Sequence, residues 1–148
     1  MEKRIIKGRG IVQRRAHGFA LVTTEPISFF GGLDAKTGHI IEKNHELEGK
    51  NITNRVFVFP YGKGSTVGSY IIYAMKKNGV APSAIINIET EPIIAAGCVL
   101  AEIPLIDKLD ESPFQAIKTG DFVKVYADMN KVEIEHAEHK LANYHMSE

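Results

Sequence analysis

Apolar residues in this chain recur with two different periods, and the change falls near the middle. In the first third, short β-branched and aromatic runs are broken by glycine. Ile5, Ile6, Ile11 and Val12 lie in a stretch from Lys3 to Arg15 interrupted by Gly8 and Gly10, a pattern that predicts one long strand bent or bulged at glycine. Arg14 to Gly18 reads as a turn into a second strand, Phe19 to Thr24, ended by Glu25-Pro26. Ile27 to Phe30 reads as a short third strand, Gly31 to His39 as loop, and Ile40-Ile41 as a short extended piece. The run Arg55 to Phe59, stopped by Pro60, predicts a buried strand. Beyond it, apolar residues fall at Val67, Tyr70, Ile71, Ala74 and Met75. That is the i, i+3, i+4, i+7, i+8 spacing of a helix, predicted over Thr66 to Asn78. Lys76 and Lys77 in its last turn and Gly79 just past it supply the stop signals.

The same alternation continues. Ala84 to Ile88 reads as a buried strand, and Pro92 opens a second helix to about Glu102 with Thr90 or Glu91 near its cap. Ile103 to Ile106 is a short strand, and Phe122–Ala127 with Lys131–Glu135 forms a hairpin joined at Asp128-Met129-Asn130. The expectation is an α/β fold in which β segments flank a βαβα core, as one domain over residues 1–135. A polar tail, 136–148, follows as a frayed end or a short surface helix.

Composition narrows the function classes. Eighteen basic residues balance eighteen acidic ones for a formal net charge of zero, which argues against a domain that binds nucleic acid by neutralising phosphates. Weak self-repulsion also eases association with another protein. The single cysteine, Cys98, excludes an internal disulfide. It also excludes an iron–sulfur cluster or Cys-rich zinc site built from this chain alone; within Ile93 to Leu100 it reads as a small buried apolar side chain. Met1-Glu2-Lys3-Arg4 runs into a short apolar pair, not a signal-peptide core. The nearly apolar stretch Pro92 to Ala101 is far short of a membrane span. A cytoplasmic protein without a membrane partner is expected.

The chemistry-bearing candidate is Gly62-Lys63-Gly64-Ser65-Thr66, between a predicted strand and a predicted helix. Backbone N–H groups at a helix N-terminus attract an anion, and glycines let it approach closely. Lys63 adds a charge, and an alkoxide forming at Ser65 would feel the same donors. The alternative is that Ser65 or Thr66 only caps the helix. A Walker A loop is excluded, because Lys63 lies between the glycines instead of after the last one. Gly62, Gly64 and Gly68, with Glu89 after the next strand, come near a dinucleotide fingerprint but carry one residue too many. A second stretch, Gly31-Gly32 with Asp34, Thr37 and Gly38, reads either as an ordinary Asx-stabilised loop or as a backbone surface open to a ligand. His136 and His139 lack further evident ligands and read as surface residues. His17 and His45 sit in turn-like segments, as candidate acids or as residues without a chemical role.

Taken in order, Phe29-Phe30-Gly31-Gly32-Leu33-Asp34, Thr37-Gly38, Asn44-His45, Pro60-Tyr61-Gly62-Lys63-Gly64-Ser65, Ala81-Pro82 and Glu91-Pro92-Ile93 resemble the swivel-domain small subunit of the aconitase X family. The likeness runs from about Gly8 to Pro104 and departs at Lys63, where the family commonly has arginine; lysine keeps the charge without the planar bidentate fork. The resemblance implies an aconitase-like swivelling domain, a β-barrel-like mixed sheet around the βαβα core. It implies a hydro-lyase active only with a large subunit that carries the iron–sulfur cluster, with no cofactor bound by this chain alone. It assigns Ser65 as general base, with Gly31, Gly32, Gly62, Lys63, Gly64 and Thr66 lining a small-molecule substrate. Two reactions are implied by the family: dehydration of (R)-5-phosphomevalonate to trans-anhydromevalonate 5-phosphate for archaeal isoprenoids, or dehydration of cis-3-hydroxy-L-proline. A non-catalytic binding module on the same fold, and a nucleotide-binding domain, stand as the other classes.

Overall fold

The structure, a computed structural model, describes residues 3–137; His139 and the tail from residue 138 onward lie outside them. The strand expected over Lys3 to Arg15 is two strands, β1 (Lys3–Lys7) and β2 (Arg9–Val12), with Gly8 alone between them. The bend is tight. A Cβ on Gly8 would stand 2.6 Å from Leu109 Cδ2 and 2.8 Å from the Asp107 carbonyl oxygen, so only glycine lets the chain turn there.

These two strands occupy opposite ends of one eight-stranded sheet, ordered β1-β10-β9-β3-β5-β7-β8-β2. The remaining members are β3 (Arg15–Val22), β5 (Val56–Val58), β7 (Ala84–Ile86), β8 (Leu105–Asp107), β9 (Phe122–Tyr126) and β10 (Lys131–Glu135). A sheet whose first and last strands are joined through one residue has to curl until its ends meet, which gives the barrel-like form. β3, β5, β7 and β8 run parallel, with α2 (Gly68–Lys77) in the connection from β5 to β7 and α3 (Pro92–Ala101) in that from β7 to β8. β1, β10 and β9 continue the sheet antiparallel, and β2 pairs antiparallel with β8.

The turn expected over Arg14 to Gly18 is instead the first half of β3, which pairs with β9 from Arg15 to Phe19. Gly18 makes no turn. Its missing side chain admits the Asn54 carbonyl oxygen, 2.6 Å from where a Cβ would lie. Glycine here signals close backbone approach inside a strand.

The parallel strands are buried on both faces, and their period of two sorts side chains into two cores. Val56, Val58, Ala84, Ile86 and Ile106 point inward with Ile6, Val123, Val125, Val132 and Ile134. Phe57, Phe59, Ile85 and Leu105 point the other way, under α2 and α3, with Phe29, Ile72, Met75, Ile94 and Cys98. Phe29, Phe57 and Phe59 meet there with ring centroids 4.6 to 6.5 Å apart. Pro92 opens α3, and Glu91 caps it by accepting from Ile93 N and Ile94 N, both at 2.8 Å. A short turn of helix, α4 (Pro113–Ala116), precedes β9.

α2 forms where the periodicity put it but buries a different face. Gly68, Ser69, Ile72 and Met75 are buried, whereas Tyr70 is 66% and Val67 41% exposed. The small residues face α3: a Cβ on Gly97 would lie 2.6 Å from Ile72 Cδ1 and 3.2 Å from Ser69 Cα. The helices approach at glycine and serine, and Val67 and Tyr70 are left outside.

One buried charge ties the barrel's closing strand to the start of α3. Asp107 accepts from Arg9 Nε and Nη2, both at 2.9 Å, and from Thr90 N at 2.8 Å. Burial disfavours its charge, but the Arg9 and Thr90 hydrogen bonds outweigh that and hold the carboxyl below the usual carboxylate range. A depressed folded value stabilises the fold above the unfolded value of about 3.9 and loses that stabilisation as pH falls through the folded value. Asp107→Asn is expected to cost about 1–2 kcal/mol at pH 7. It should also flatten the acid limb of a melting-temperature profile recorded by circular dichroism below about pH 4.

Candidate active site

Two short strands, β4 (Ile27–Ser28) and β6 (Gly62–Lys63), pair in parallel, Ile27 opposite Gly62 and Ser28 opposite Lys63. That pairing sets the two glycine stretches of the sequence side by side. After β4 the chain makes one helical turn, α1 (Phe29–Gly32), broken by Gly31 at φ 86°. Nothing lies within 4 Å of where a Gly31 Cβ would stand, so this backbone is open to an approaching group. Gly32 is buried with its α-carbon against Glu42, whose Oε1 lies 3.0 Å from a would-be Cβ.

Across from α1, β6 leads into Gly64, at φ 89° and beside Ser28 Oγ. Gly62 is buried, and the space its absent side chain leaves is filled by Ile94 and Glu91 of the α3 N-terminus, 2.6 and 2.7 Å from a would-be Cβ. Lys63, Gly64, Ser65 and Thr66 are exposed. α2 begins at Gly68, two residues beyond the expected Thr66, with Val67 at its cap and no side-chain cap bond. Ser65 Oγ accepts from Val67 N at 3.1 Å, and the Ser65 carbonyl accepts from Gly68 N at 3.0 Å. The backbone N–H groups of Ser65 and Thr66 meet no acceptor among the described residues. Two free donors and a hydroxyl already receiving a third stand ahead of a ten-residue helix, an arrangement that favours negative charge.

Lys63 is less free than its sequence position implies. Its Nζ lies 2.9 Å from Glu42 Oε2. Glu42 also accepts from Ser28 N at 2.9 Å. Burial opposes the Glu42 charge, but the Ser28 N–H and the Lys63 ammonium prevail and hold its carboxyl below the ordinary range. Sequence reasoning passed over Glu42, because nothing in Glu42-Lys43-Asn44 distinguishes it from a solvated loop.

The other candidates have structural surroundings. His45 is buried, its Nδ1 accepting from Leu47 N at 3.1 Å and its Nε2 3.2 Å from the Pro26 carbonyl oxygen. His17 packs against the Phe122 ring at 5.4 Å. His136 Nδ1 lies 3.1 Å from Asp121 Oδ2. Glu89 is exposed and pairs with Lys108 at 3.6 Å. Asp34 accepts from Lys36 N at 2.9 Å, an Asx turn that closes the loop after Gly32.

The residues of this chain do not fit an iron–sulfur cluster. Cys98 is wholly buried in the apolar layer beneath α3, and burial pushes its thiol far above the range in which a thiolate forms. No group of three or more His, Cys, Asp or Glu among the described residues is placed to hold a metal. Among the same residues no helix is long and apolar enough to cross a membrane. The glycine turn lies on an open face. Broad depressions of about 490 Å³, between Ile88 and Pro113, and about 410 Å³, around Arg9 and Thr90, include none of residues 61–67.

A curled mixed sheet with a glycine turn on its open face, and with no metal site among the described residues, is the form of a swivel domain. The family described as the aconitase X swivel domain matches residues 5–134, and this chain belongs to it. It is 52% identical over 129 residues to the phosphomevalonate dehydratase small subunit of Methanosarcina acetivorans, covering 87% of this chain and 90% of that one. It is 55% identical over 126 residues to the protein of the same name from Archaeoglobus fulgidus, covering 85% and 95%. Among solved structures it resembles the holo-form of Thermococcus kodakaraensis aconitase X at a TM-score of 0.85 and 45% identity, over 90% of this chain and 99% of that one.

Proposed function

We propose that this chain is the small subunit of a hydro-lyase that dehydrates (R)-5-phosphomevalonate to trans-anhydromevalonate 5-phosphate, with Ser65 as the general base. The carrying observation is the Ser65 hydroxyl, which receives the Val67 N–H beside two unpaired backbone donors and lies in a family whose near relatives bear the phosphomevalonate dehydratase name. In this reading Ser65 Oγ takes a proton from the carbon next to the substrate carboxylate. The electron pair of that C–H bond becomes the new double bond as hydroxide departs from the neighbouring carbon. Gly31, Gly64 and Thr66 present backbone to the substrate anion, Gly32 and Gly62 let the two stretches close on each other, and Lys63 adds positive charge at the rim.

Nothing among the described residues is suited to assisting the hydroxide. That task, and the cluster implied by the family, we assign to a larger partner subunit, a division favoured by the inaccessible Cys98. Around the polar turn stand Phe30, Tyr61, Val67 and Tyr70, which are 51%, 49%, 41% and 66% exposed. An apolar rim about a polar centre is the surface expected of a face that a partner covers. Tyr70→Asp is expected to weaken assembly with the large subunit about tenfold, read by titration calorimetry, with the melting temperature of the free chain unchanged.

The reaction is tested by purifying both subunits together without oxygen and supplying phosphomevalonate or cis-3-hydroxy-L-proline. Turnover of the first and not the second is expected. Turnover of only the hydroxyproline, or no loss of activity when this chain is omitted, would overturn the reading.

A further inference from the structure

Glu42 joins two separate segments through one carboxylate, yet it does not touch Ser65 or the open donors beside it. Oε1 accepts from Ser28 N at 2.9 Å, and Oε2 meets Lys63 Nζ at 2.9 Å. The Glu42 Cβ lies 3.3 Å from where a Gly32 Cβ would stand. The backbone adds to this, with Glu42 N donating to the Gly32 carbonyl at 3.2 Å. Its side chain is only 19% exposed. The strands it bridges, β4 and β6, are two residues each, so their ladder alone fixes the two glycine stretches weakly. Charge-assisted hydrogen bonds in a shielded place are stronger and more directional than neutral ones.

We propose that Glu42 is a positioning residue: it locks the Phe29–Gly32 turn against Gly62–Thr66 and holds the Lys63 ammonium at one edge of the substrate face. This inference rests on the dehydratase reading for its kinetic readout but not for its structural one. Glu42→Gln keeps the shape and an acceptor for Ser28 N while removing the ion pair. Glu42→Ala removes both. A residue acting through Lys63 loses its effect once Lys63 is gone; one that only supports the fold does not.

The test uses the assembled complex and the free full-length chain. In the complex, with phosphomevalonate, Glu42→Gln is expected to lower kcat/KM about tenfold and Glu42→Ala about a hundredfold, the scale on which misplaced groups cost rate. Glu42→Gln combined with Lys63→Met should be no slower than Lys63→Met alone. In the free chain, a ¹H–¹⁵N spectrum of Glu42→Gln should shift the amides of Ser28, Gly31, Gly64 and Ser65 while leaving those of Val123 and Ile134 in place. Full activity of Glu42→Ala at a lowered melting temperature would overturn the proposal, as would additive losses in the double variant or shifts that stop at Ser28. If the wild-type complex does not dehydrate phosphomevalonate, the function reading fails and the spectrum alone decides the role of Glu42.

Discussion

Ser65→Ala, introduced into the assembled complex, is expected to lower the dehydration rate by about 10²–10⁴-fold, the usual worth of a positioned general base. A serine hydroxyl in water is far too weak an acid to stand as an alkoxide, so the surroundings must favour the charged form. Three features here do so. Val67 N–H already points at Oγ from 3.1 Å, the Ser65 and Thr66 N–H groups have no competing acceptor among the described residues, and α2 directs its positive end toward them. None of the three is worth much while water covers an exposed turn, because a high dielectric screens them. In the proposed complex, closure under the partner is what would supply the dry setting in which they count. Alanine leaves Val67 N–H to solvent, a small stability loss of about 0.5–1 kcal/mol, so the variant should fold, assemble and bind substrate with a KM near that of the wild type. A loss confined to kcat identifies proton transfer; a near wild-type rate would remove Ser65 from the mechanism. Thr66→Ala is the companion variant, since its hydroxyl is assigned no proton.

How much of this was legible before the structure depends on range along the chain. The strand within Arg55 to Phe59, the helix cap at Thr90 or Glu91, the hairpin around Asp128 and the burial of Cys98 all follow from neighbours a few residues away; the structure bears them out, with the strand at Val56–Val58 and the cap at Glu91. The helix after the glycine turn was legible as a helix, but its inward face was not. Counting apolar residues favours Val67 and Tyr70, whereas the contact with α3 is made through Gly68 and Ser69, whose value is their small size. Glycine misled twice more, since Gly18 continues a strand that looked like a turn, and Gly8 separates strands that lie at opposite ends of the sheet. The candidate site divides the same way. Gly31 and Ser65 were visible as glycine-turn chemistry, but the β4–β6 pairing that unites them is two residues long, and Glu42 has no local mark at all. Both depend on contacts that only the folded chain creates.

The second large effect is on stability and lies far along the chain from Ser65. Gly10→Ala is expected to destabilise the fold by about 3 kcal/mol, the upper end of what an unaccommodated added methyl costs. The site gives it nowhere to go. A Cβ on Gly10 would fall inside the contact radius of the Ala127 carbonyl oxygen, and it would lie 2.7 Å from that carbonyl's carbon. Both are backbone atoms, which no rotamer change can move aside. Ala127 opens the 3₁₀ turn Ala127–Met129 between β9 and β10, and Asn130 at its end accepts from Gly8 N through its carbonyl and from Gly10 N through Oδ1, each at 2.9 Å. The β1–β2 junction is therefore clamped to that turn where the barrel closes, and relieving the clash means releasing the clamp. For a chain of this size about 3 kcal/mol corresponds to a melting temperature lower by about 6–12 °C. Gly49→Ala separates space from backbone strain: Gly49 has φ 88° with nothing within 4 Å, so it should lose only the cost of a left-handed alanine, about 1–2 kcal/mol. Equal losses for the two variants would show that the closing contact at Gly10 yields more readily than its backbone neighbours imply. A clearly larger loss at Gly10 means that the single-residue bend at Gly8 and the close approach at Gly10 hold the barrel shut.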